Sequence, residues 1–469
     1  MEVATNVQEN DGKLDDAEDA EKDLELLQVK ARIQLPLDNV NEKMLANLEK
    51  HEWYHGCLPY EDIAGLLKDN GDFLVREVGP EGDRTAMACV TVKWNETVQN
   101  FPVHSLCKGN ERQYTIDGNN KSDDVMKLIQ NHLNKIPIGD NILLKRPIPK
   151  QRWELTSNKV KLQKKIGAGK FGEVWKGTMI EEANKPPIDV AIKVGKISNE
   201  NKAMIDEMYK EARLMRQYKH RNVVAFYGVV IDNSGNVMIV MEMIYGGGLN
   251  DHLKKQKVEV KDKTSYSIDV AIGLLYLHSK GCMHRDIACR NCLIDVRANI
   301  VKISDFGLSK QADSYNIPQD EPLPIRWQAP EVIATRVYTM KSDVYSFGIL
   351  LWEIFNDAEV PFKGIDNKTI KSKIGDPKFR PPLDPSIPLI IRRVMKTCWR
   401  AEPTRRPTME LLAKYLIHSP ADSAPNTEHT EGVLRKAKNS IINSMRSKKR
   451  TRSNDRYRLL SLMKERRNQ

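Results

Sequence analysis

The sequence lacks the features that would place the chain in a membrane or outside the cell. No apolar run reaches the roughly 18 residues of a transmembrane helix, because Ser346, Gly348 and Glu353 interrupt the longest candidate, near 344–355. Seven cysteines, odd in number and without framework spacing, favour reduced thiols in a cytosolic compartment. The first residues have no signal-peptide pattern, and Glu2 stands where myristoylation needs glycine. We therefore expect a cytoplasmic chain without a membrane span, leader or N-terminal lipid.

Composition and length exclude a fibrous or wholly disordered protein. The chain has 469 residues, of which 40% are hydrophobic and 29% are charged, as in ordinary globular proteins. At roughly 100–200 residues per domain, this length predicts two or three domains. The formal net charge of +11 alone would suggest a nucleic-acid or membrane partner, so its position along the chain matters.

The excess positive charge lies near the C-terminus. Residues 433–469 contain thirteen Lys and Arg against two carboxylates, a net charge of +11 that equals the total for the chain. Residues 1–30 have the opposite bias, with ten carboxylates against three lysines. We interpret 1–50 as an acidic, largely disordered or helical segment and 419–469 as a basic tail.

A proline- and lysine-rich stretch divides the middle of the chain. Residues 145–152 read Lys-Arg-Pro-Ile-Pro-Lys-Gln-Arg, and we expect these prolines to prevent both helix formation and sheet pairing. With a linker at 146–154, the sequence predicts a small domain over 51–145 and a larger one over 155–418.

The small domain contains an arginine inside an apolar strand. Phe73–Glu77 reads Phe-Leu-Val-Arg-Glu, between two helical patterns and among further strands. Burying an unpaired guanidinium is costly, so either a carboxylate partner or a ligand for Arg76 is expected. The order of elements and this strand resemble an SH2 domain. The resemblance implies that Arg76 binds a phosphotyrosine phosphate through its planar fork.

Three positions depart from the SH2 pattern. Tyr60 replaces a second arginine, Val78 replaces a serine, and Asn100 replaces a histidine. Each change removes a phosphate donor or a ring contact, so the affinity for phosphotyrosine is uncertain. A degenerate packing domain stays the alternative.

The larger domain begins with a glycine loop, Gly-Ala-Gly-Lys-Phe-Gly-Glu-Val over 167–174. Glycines let a backbone approach phosphate oxygens closely, but such a loop alone is a weak signal. A strand ending in Lys193 and a helical stretch carrying Glu211 follow it. An ion pair that directs Lys193 at the α- and β-phosphates is the better interpretation.

Three later motifs complete a phosphoryl-transfer pattern: His-Arg-Asp at 284–286, Asp-Phe-Gly at 305–307 and Ala-Pro-Glu at 329–331. Asp305 and Asn291 suit Mg²⁺ (or Mn²⁺), which prefers oxygen ligands, and Asp286 suits the proton of an acceptor hydroxyl. All motifs in this order resemble the eukaryotic protein-kinase family over 155–418. The resemblance implies ATP as substrate and a pair between Arg406 and Glu331.

Two details resemble tyrosine kinases rather than serine/threonine kinases. Arg290 stands just before Asn291, with Ala288 where the other class has lysine, and 323–327 reads Leu-Pro-Ile-Arg-Trp. Tyr315 lies between the second and third motifs. We expect it to be autophosphorylated, with its phosphate bound by Arg285.

The resemblance assigns the nucleotide site as a whole. It implies that Met241 closes the back of the adenine pocket and that the backbone after Met241 binds the base. The residues implied are Ile166, Gly167, Ala168, Gly169, Lys170, Phe171, Gly172, Glu173, Val174, Lys193, Met241, Glu242 and Met243. Asp286, Lys193, Glu211 and Arg290 are implied in catalysis.

An SH2-like domain directly before a tyrosine-kinase domain resembles the Fes/Fer group of non-receptor kinases. The fold class implied is α+β, multidomain: an antiparallel sheet flanked by two helices, then a β-rich lobe and an α-rich lobe. We expect a short form without the membrane-curving N-terminal region. The function implied is tyrosine phosphorylation with SH2-directed recruitment, and a catalytically silent phosphotyrosine scaffold is the alternative.

The basic tail has a pattern of its own. Apolar residues recur at helical spacing in 433–445, with Arg435, Lys436 and Lys438 off that stripe. Such a helix suits an anionic membrane surface, where each cation contributes about 1 kcal/mol. Lys448–Arg452 also matches a nuclear-import patch. A disordered tail and an acidic partner stay open, and no specific nucleic acid is expected.

Overall fold

The computed structural model describes residues 47–78, 87–108, 111–139, 141–169, 172–182, 184–195, 202–231 and 236–418. The acidic N-terminal segment (but for its last residues) and the basic tail fall outside these ranges. The chain divides between Glu154 and Leu155 into two compact units, each of which has its own buried apolar core.

The described part of the first unit contains a four-stranded sheet, a two-stranded sheet and two helices. Its strands are β1 (Asp72–Val78), β2 (Met87–Trp94), β3 (Thr97–Pro102), β4 (His104–Lys108), β5 (Glu111–Thr115) and β6 (Arg146–Pro147), and its helices are α1 (Tyr60–Ile63) and α2 (Val125–His132). The main sheet has the order β3–β2–β1–β6, and β4 pairs with β5. The side chain of Asp124 caps α2 by accepting a hydrogen bond from the Lys127 amide.

The prediction that the prolines of 145–152 prevent sheet pairing is wrong. Strand β6 runs parallel to β1, with Arg146 opposite Asp72. The amides of Arg146 and Ile148 donate to Gly71 and Phe73 at 3.1 and 2.8 Å. Pro147 lies between these two donors, so its missing N–H is not needed at this sheet edge. The stretch is therefore part of the first unit's edge rather than a free connection.

The second unit begins with a sheet-rich lobe. Its strands are β7 (Glu154–Leu155), which spans the boundary, β8 (Val160–Gly169), β9 (Gly172–Met179), β10 (Ile188–Gly195), β11 (Phe226–Ile231) and β12 (Val237–Glu242). They adjoin in the order β11–β12–β10–β9–β8, with antiparallel pairs throughout. Helix α3 (Lys202–Met215) packs against this sheet, with Met208 and Ala212 buried.

The rest of the second unit is mainly helical. Its helices are α4 (Leu249–Lys255), α5 (Val260–Ser279), α6 (Pro330–Thr335), α7 (Met340–Phe355), α8 (Asn367–Lys373), α9 (Leu389–Cys398) and α10 (Met409–His418). Short strand pairs lie between them: β13 (Cys282–Met283) with β16 (Lys310–Gln311), β14 (Cys292–Asp295) with β15 (Ile300–Ile303), and β17 (Ser314–Asn316) with β18 (Val337–Thr339). The predicted α+β class, with a β-rich lobe before an α-rich lobe, is confirmed.

Helix α7 is the centre of the helical lobe. Thr339 and Ser342 form a capping box at its start, and nearly all of its residues are buried. Gly348 lets α9 approach closely, since a Cβ there would lie 2.7 Å from the Cβ of Cys398 and 2.8 Å from Nε1 of Trp399. The position of α7 is thus fixed by its close contact with α9.

We expect Gly348→Ala to destabilise the second unit. Overpacking costs about 1–3 kcal/mol, which outweighs the ~1 kcal/mol that alanine gains over glycine inside a helix. The measurement is the thermal unfolding midpoint of the second unit in the full chain. Gly375→Ala is the matched control, because its Cβ meets nothing within 4 Å. Equal midpoints for the two variants would contradict the prediction.

Candidate active site

A buried ion pair joins the sheet of the second unit to α3. Lys193 Nζ lies 2.6 Å from Glu211 Oε2, and both side chains are buried. The register sets Lys193 opposite Val174 of β9 and Ile239 of β12, in the middle of the sheet. Burial raises the pKa of Glu211, and the Lys193 charge counteracts that rise. Because an unpaired buried charge is costly, the pair fixes α3 against the sheet.

The described residues of the predicted glycine loop lie at the end of β8 and the start of β9. Gly172 has a φ of +116°, and a Cβ there would meet the Val194 carbonyl oxygen at 2.2 Å, so only glycine fits. The Glu173 carboxylate is bound by Lys165 at 2.6 Å. The predicted loop residues in these two strands are Ile166, Gly167, Ala168, Gly169, Gly172, Glu173 and Val174. Lys170 and Phe171 lie outside the described residues.

One buried carboxylate holds the loop between β13 and β14. The amides of His284 and Arg285 donate to Asp343 at 2.8 and 2.9 Å. Tyr338 Oη donates to the same carboxylate at 2.8 Å, and the His278 ring lies 3.0 Å from it. Burial by itself raises the pKa of Asp343, but His278 and the other donors lower it overall. Arg285 adopts a φ of +71°, so the loop turns sharply here.

This loop holds Asp286 between two donor side chains. Asn291 Nδ2 donates to Asp286 Oδ2 at 2.6 Å and to its carbonyl oxygen at 2.7 Å. Arg290 pairs with the other carboxylate oxygen. The carboxylate of the predicted general base is thereby oriented from two sides.

Asp305 lies close to both the ion pair and the loop. Its Oδ1 is 4.0 Å from Lys193 Nζ, and its side chain is 44% exposed. Both the amide and the hydroxyl of Ser304 donate to the Asn291 carbonyl oxygen at 2.9 Å, which links the two predicted metal ligands. Asn291 Nδ2 donates to Asp286, which leaves the side-chain oxygen of Asn291 as the atom that suits a metal ion. Two hard oxygens fit Mg²⁺, which keeps waters and substrate phosphates as its other ligands.

The end of β12 carries the residues predicted to contact the base. Met241 lies opposite Ala191 in the register of β10 and β12. The Glu242 amide donates to Ala225 at 2.9 Å, and its carboxylate binds Lys302 at 2.6 Å. The Glu242 amide therefore already has a hydrogen-bond partner within the protein.

Sequence reasoning missed Glu353, which connects two parts of the site. Its Oε2 accepts hydrogen bonds from the Cys289 amide at 3.0 Å and from Trp327 Nε1 at 2.9 Å. The Trp327 ring lies 4.1 Å from the Arg290 guanidinium carbon, a cation–π contact. Burial raises the pKa of Glu353 to about 7. Its only sequence signal was a carboxylate inside the apolar run of α7.

The structure also brings Tyr315 beside Arg285, as expected. Tyr315 lies in β17, opposite Tyr338 of β18, and its ring is 4.3 Å from the Arg285 guanidinium carbon. Glu321, which sequence reasoning missed, binds Arg285 at 2.5 Å. The pair between Arg406 and Glu331 is bidentate, at 2.6 and 2.7 Å.

In the first unit, Arg76 lies on β1 with polar neighbours. Its Nε donates to Thr91 at 3.2 Å and its Nη2 to the Asn100 side-chain oxygen at 3.3 Å. Tyr60 and Val78 are exposed, at 47% and 40%. Asn100 thus orients the arginine that the SH2 resemblance assigns to phosphotyrosine.

The described residues contain neither a membrane-spanning helix nor a cluster of metal-binding side chains. No helix among them is long and apolar enough to cross a membrane. No group of three or more His, Cys, Asp or Glu side chains in that part of the chain could hold a metal ion.

Comparisons with known proteins agree with this geometry. Residues 160–416 match the protein tyrosine and serine/threonine kinase family, and residues 53–132 match the SH2 domain family. Fer-related kinase 1 of Caenorhabditis elegans is 34% identical over 81% of this chain and 96% of its own length. Tyrosine-protein kinase Fer of Rattus norvegicus is 36% identical over 81% of this chain but only 44% of its own length.

A viral tyrosine kinase is also similar to this chain. The tyrosine-protein kinase transforming protein Fps of avian sarcoma virus (strain PRCII) is 34% identical over 78% of this chain and 67% of its own length. The chain thus spans less than half of the mammalian Fer proteins and nearly all of the worm relative. This chain therefore belongs to the protein tyrosine kinase family, in its Fer/Fes group, with an SH2 domain ahead of the kinase domain.

Proposed function

We propose that this chain transfers the γ-phosphoryl group of ATP to tyrosine side chains of proteins. The continuous contact from Glu211 through Lys193 to Asp305 supports this most strongly. It sets a cation beside a metal-ligand carboxylate, next to the loop that presents Asp286. Kinase family membership already implies ATP and a divalent metal in general terms.

Positioning and electrostatics account for the proposed catalysis. Lys193 and the glycine loop hold the phosphates of ATP, with Glu211 keeping Lys193 in place. Asp286 accepts the proton of the tyrosine hydroxyl as that oxygen bonds to the γ-phosphorus and ADP leaves. Arg290 pairs with Asp286 and stacks on Trp327, which supports the platform for a tyrosine ring.

The proposed metal ligands are Asn291 and Asp305, and the proposed ion is Mg²⁺ or Mn²⁺. When bound, the metal neutralises charge on the phosphate oxygens. The family also implies a base site at Met241, Glu242 and Met243. The apolar wall at Met241 and the strand register of β12 support that assignment.

We further propose that Arg76 binds phosphotyrosine and brings the kinase to phosphorylated partners, which raises the local substrate concentration. The polar partners of Arg76 support this role. Tyr315 is the proposed autophosphorylation site, supported by its contact with Arg285. The proposed boundaries are 51–145 for the SH2 domain, 146–154 for the linker and 155–418 for the kinase domain. The first residues of that linker form the edge strand β6 of the first unit.

The proposals for the basic tail and location rest on sequence alone. We propose that 419–469 contacts an anionic membrane surface or an acidic partner, which would recruit a cytoplasmic kinase to the inner face of the membrane. Nuclear import through Lys448–Arg452 is a second proposal for this tail. A catalytically silent scaffold has no observation in its favour, because each position proposed for phosphoryl transfer carries suitable chemistry.

We expect Asp286→Asn to reduce kcat by about 10²–10⁴-fold, the usual contribution of a positioned general base. The measurement is ATP-dependent tyrosine phosphorylation of a peptide by the purified chain. Asp313→Asn, the same change at an exposed side chain, is the control and should retain activity. Activity that survives in Asp286→Asn would reject this residue as the base.

We expect Arg76→Lys to weaken phosphopeptide binding roughly 10- to 100-fold, since a point charge loses the forked hydrogen bonds of arginine. Calorimetry on the full chain compares phosphorylated and unphosphorylated forms of one peptide. Arg112→Lys is the matched control. Equal, weak binding of both peptide forms by the unsubstituted chain would support the degenerate packing domain instead.

We expect removal of 433–469 to abolish co-sedimentation with phosphatidylserine vesicles, because that segment carries a net charge of +11. Removal of 1–30, which is acidic, is the control. Unchanged sedimentation after removal of the tail would contradict membrane contact.

A further inference from the structure

The carboxylate of Glu321 lies where a phosphate on Tyr315 is expected to bind. Glu321 Oε1 is 2.5 Å from Arg285 Nη2, and its Oε2 accepts a hydrogen bond from the Tyr315 hydroxyl at 3.1 Å. One carboxylate therefore neutralises the arginine and holds the tyrosine. A phosphate at this place would make the same two kinds of contact, since it is also an anion with several acceptor oxygens.

Arg285 requires an anion at this position. The residue is only 3% exposed, and a buried guanidinium without a counter-charge is strongly unfavourable. Its Nη1 donates to the Leu308 carbonyl oxygen at 2.9 Å, which supplies a dipole but no charge. Its Nε has no hydrogen-bond partner among the described residues. Glu321 is thus the carboxylate whose side chain pairs with the Arg285 guanidinium.

The backbone around Glu321 is also held in place. Arg336 Nη2 donates to the Glu321 carbonyl oxygen at 2.7 Å, and its Nε donates to Ile317 at 3.2 Å. The Ile317 amide donates back to Arg336 at 2.8 Å. These contacts extend the pairing of β17 with β18, and the pair of Glu321 with Arg285 adds a second attachment for the segment 313–323.

We infer that Glu321 is a positioning residue that orders the segment 313–323 in the unphosphorylated chain by supplying the anion that Arg285 requires. This inference rests on the proposed kinase function and adds regulation to it. Two consequences follow for Tyr315. The unphosphorylated chain has most of its activity, and phosphorylation has to displace Glu321, because a phosphate of nearly two negative charges repels a carboxylate in the same place.

The neighbouring acidic residues provide a matched control. Asp320 is adjacent to Glu321 in the chain but is exposed, so Asp320→Asn removes the same charge without removing the contact to Arg285. Glu321→Asp keeps the charge on a shorter side chain and is the conservative variant. Glu321→Gln removes the charge and keeps the shape.

The first measurement compares peptide phosphorylation before and after phosphatase treatment and after autophosphorylation. In the unsubstituted chain and in Asp320→Asn, Tyr315 phosphorylation should raise kcat/KM by no more than about threefold. In Glu321→Gln, the kcat/KM of the unphosphorylated form should fall about tenfold, the order expected for a charged hydrogen bond. Phosphorylation of Tyr315 should restore that kcat/KM. The kcat/KM of unphosphorylated Glu321→Asp should lie between those of the unsubstituted chain and Glu321→Gln.

The second measurement does not depend on activity. Hydrogen exchange in the unphosphorylated chain should show protection of the Ile317 amide, which Glu321→Gln loses and Asp320→Asn keeps. If the unsubstituted chain phosphorylates nothing in either state, the proposed function fails and the exchange result alone decides this inference. Equal activity and equal protection in unphosphorylated Glu321→Gln and in the unsubstituted chain would overturn it.

Discussion

The buried carboxylate of Asp343 is the interaction on which the active site of this kinase depends. It accepts hydrogen bonds from the amides of His284 and Arg285 and from the Tyr338 hydroxyl, and it contacts the His278 ring. A buried carboxylate is stable only when such donors surround it. The donors come from α5, from the loop between β13 and β14, and from β18. Satisfying the charge of Asp343 therefore fixes all three elements against α7.

The same constraint recurs in the other buried charges of the second unit. Lys193 with Glu211 fixes α3, and Arg406 with Glu331 fixes the start of α6. Buried pairs contribute little net stability, because desolvation offsets their attraction. Their effect here is geometric, since each charge is satisfied only in one arrangement. These pairs therefore fix the positions of the elements around the site and contribute little to the stability of the fold.

Much of the site could be predicted from the sequence, and much of its surroundings could not. Asp286, Asn291, Asp305 and Lys193 lie in short motifs whose residue types the chemistry requires. The prolines at 145–152 were expected to prevent sheet pairing because they lack amide N–H groups. That prediction was wrong. At the edge of a sheet only alternate residues need to donate, and Pro147 is between two that do. Whether a strand lies at an edge is a property of the fold, not of its residues.

The family, the order of the elements and the candidate residues for phosphoryl transfer follow from the sequence alone, because local motifs carry specific functional groups at fixed spacing. The tertiary structure decided which charges meet. Glu321 lies 36 residues after Arg285, and Glu353 lies 64 residues after Cys289. A carboxylate has the same local appearance whether it is solvated or paired. Only the folding of distant segments onto one another made Glu321 the partner of Arg285 and Glu353 the partner of Trp327.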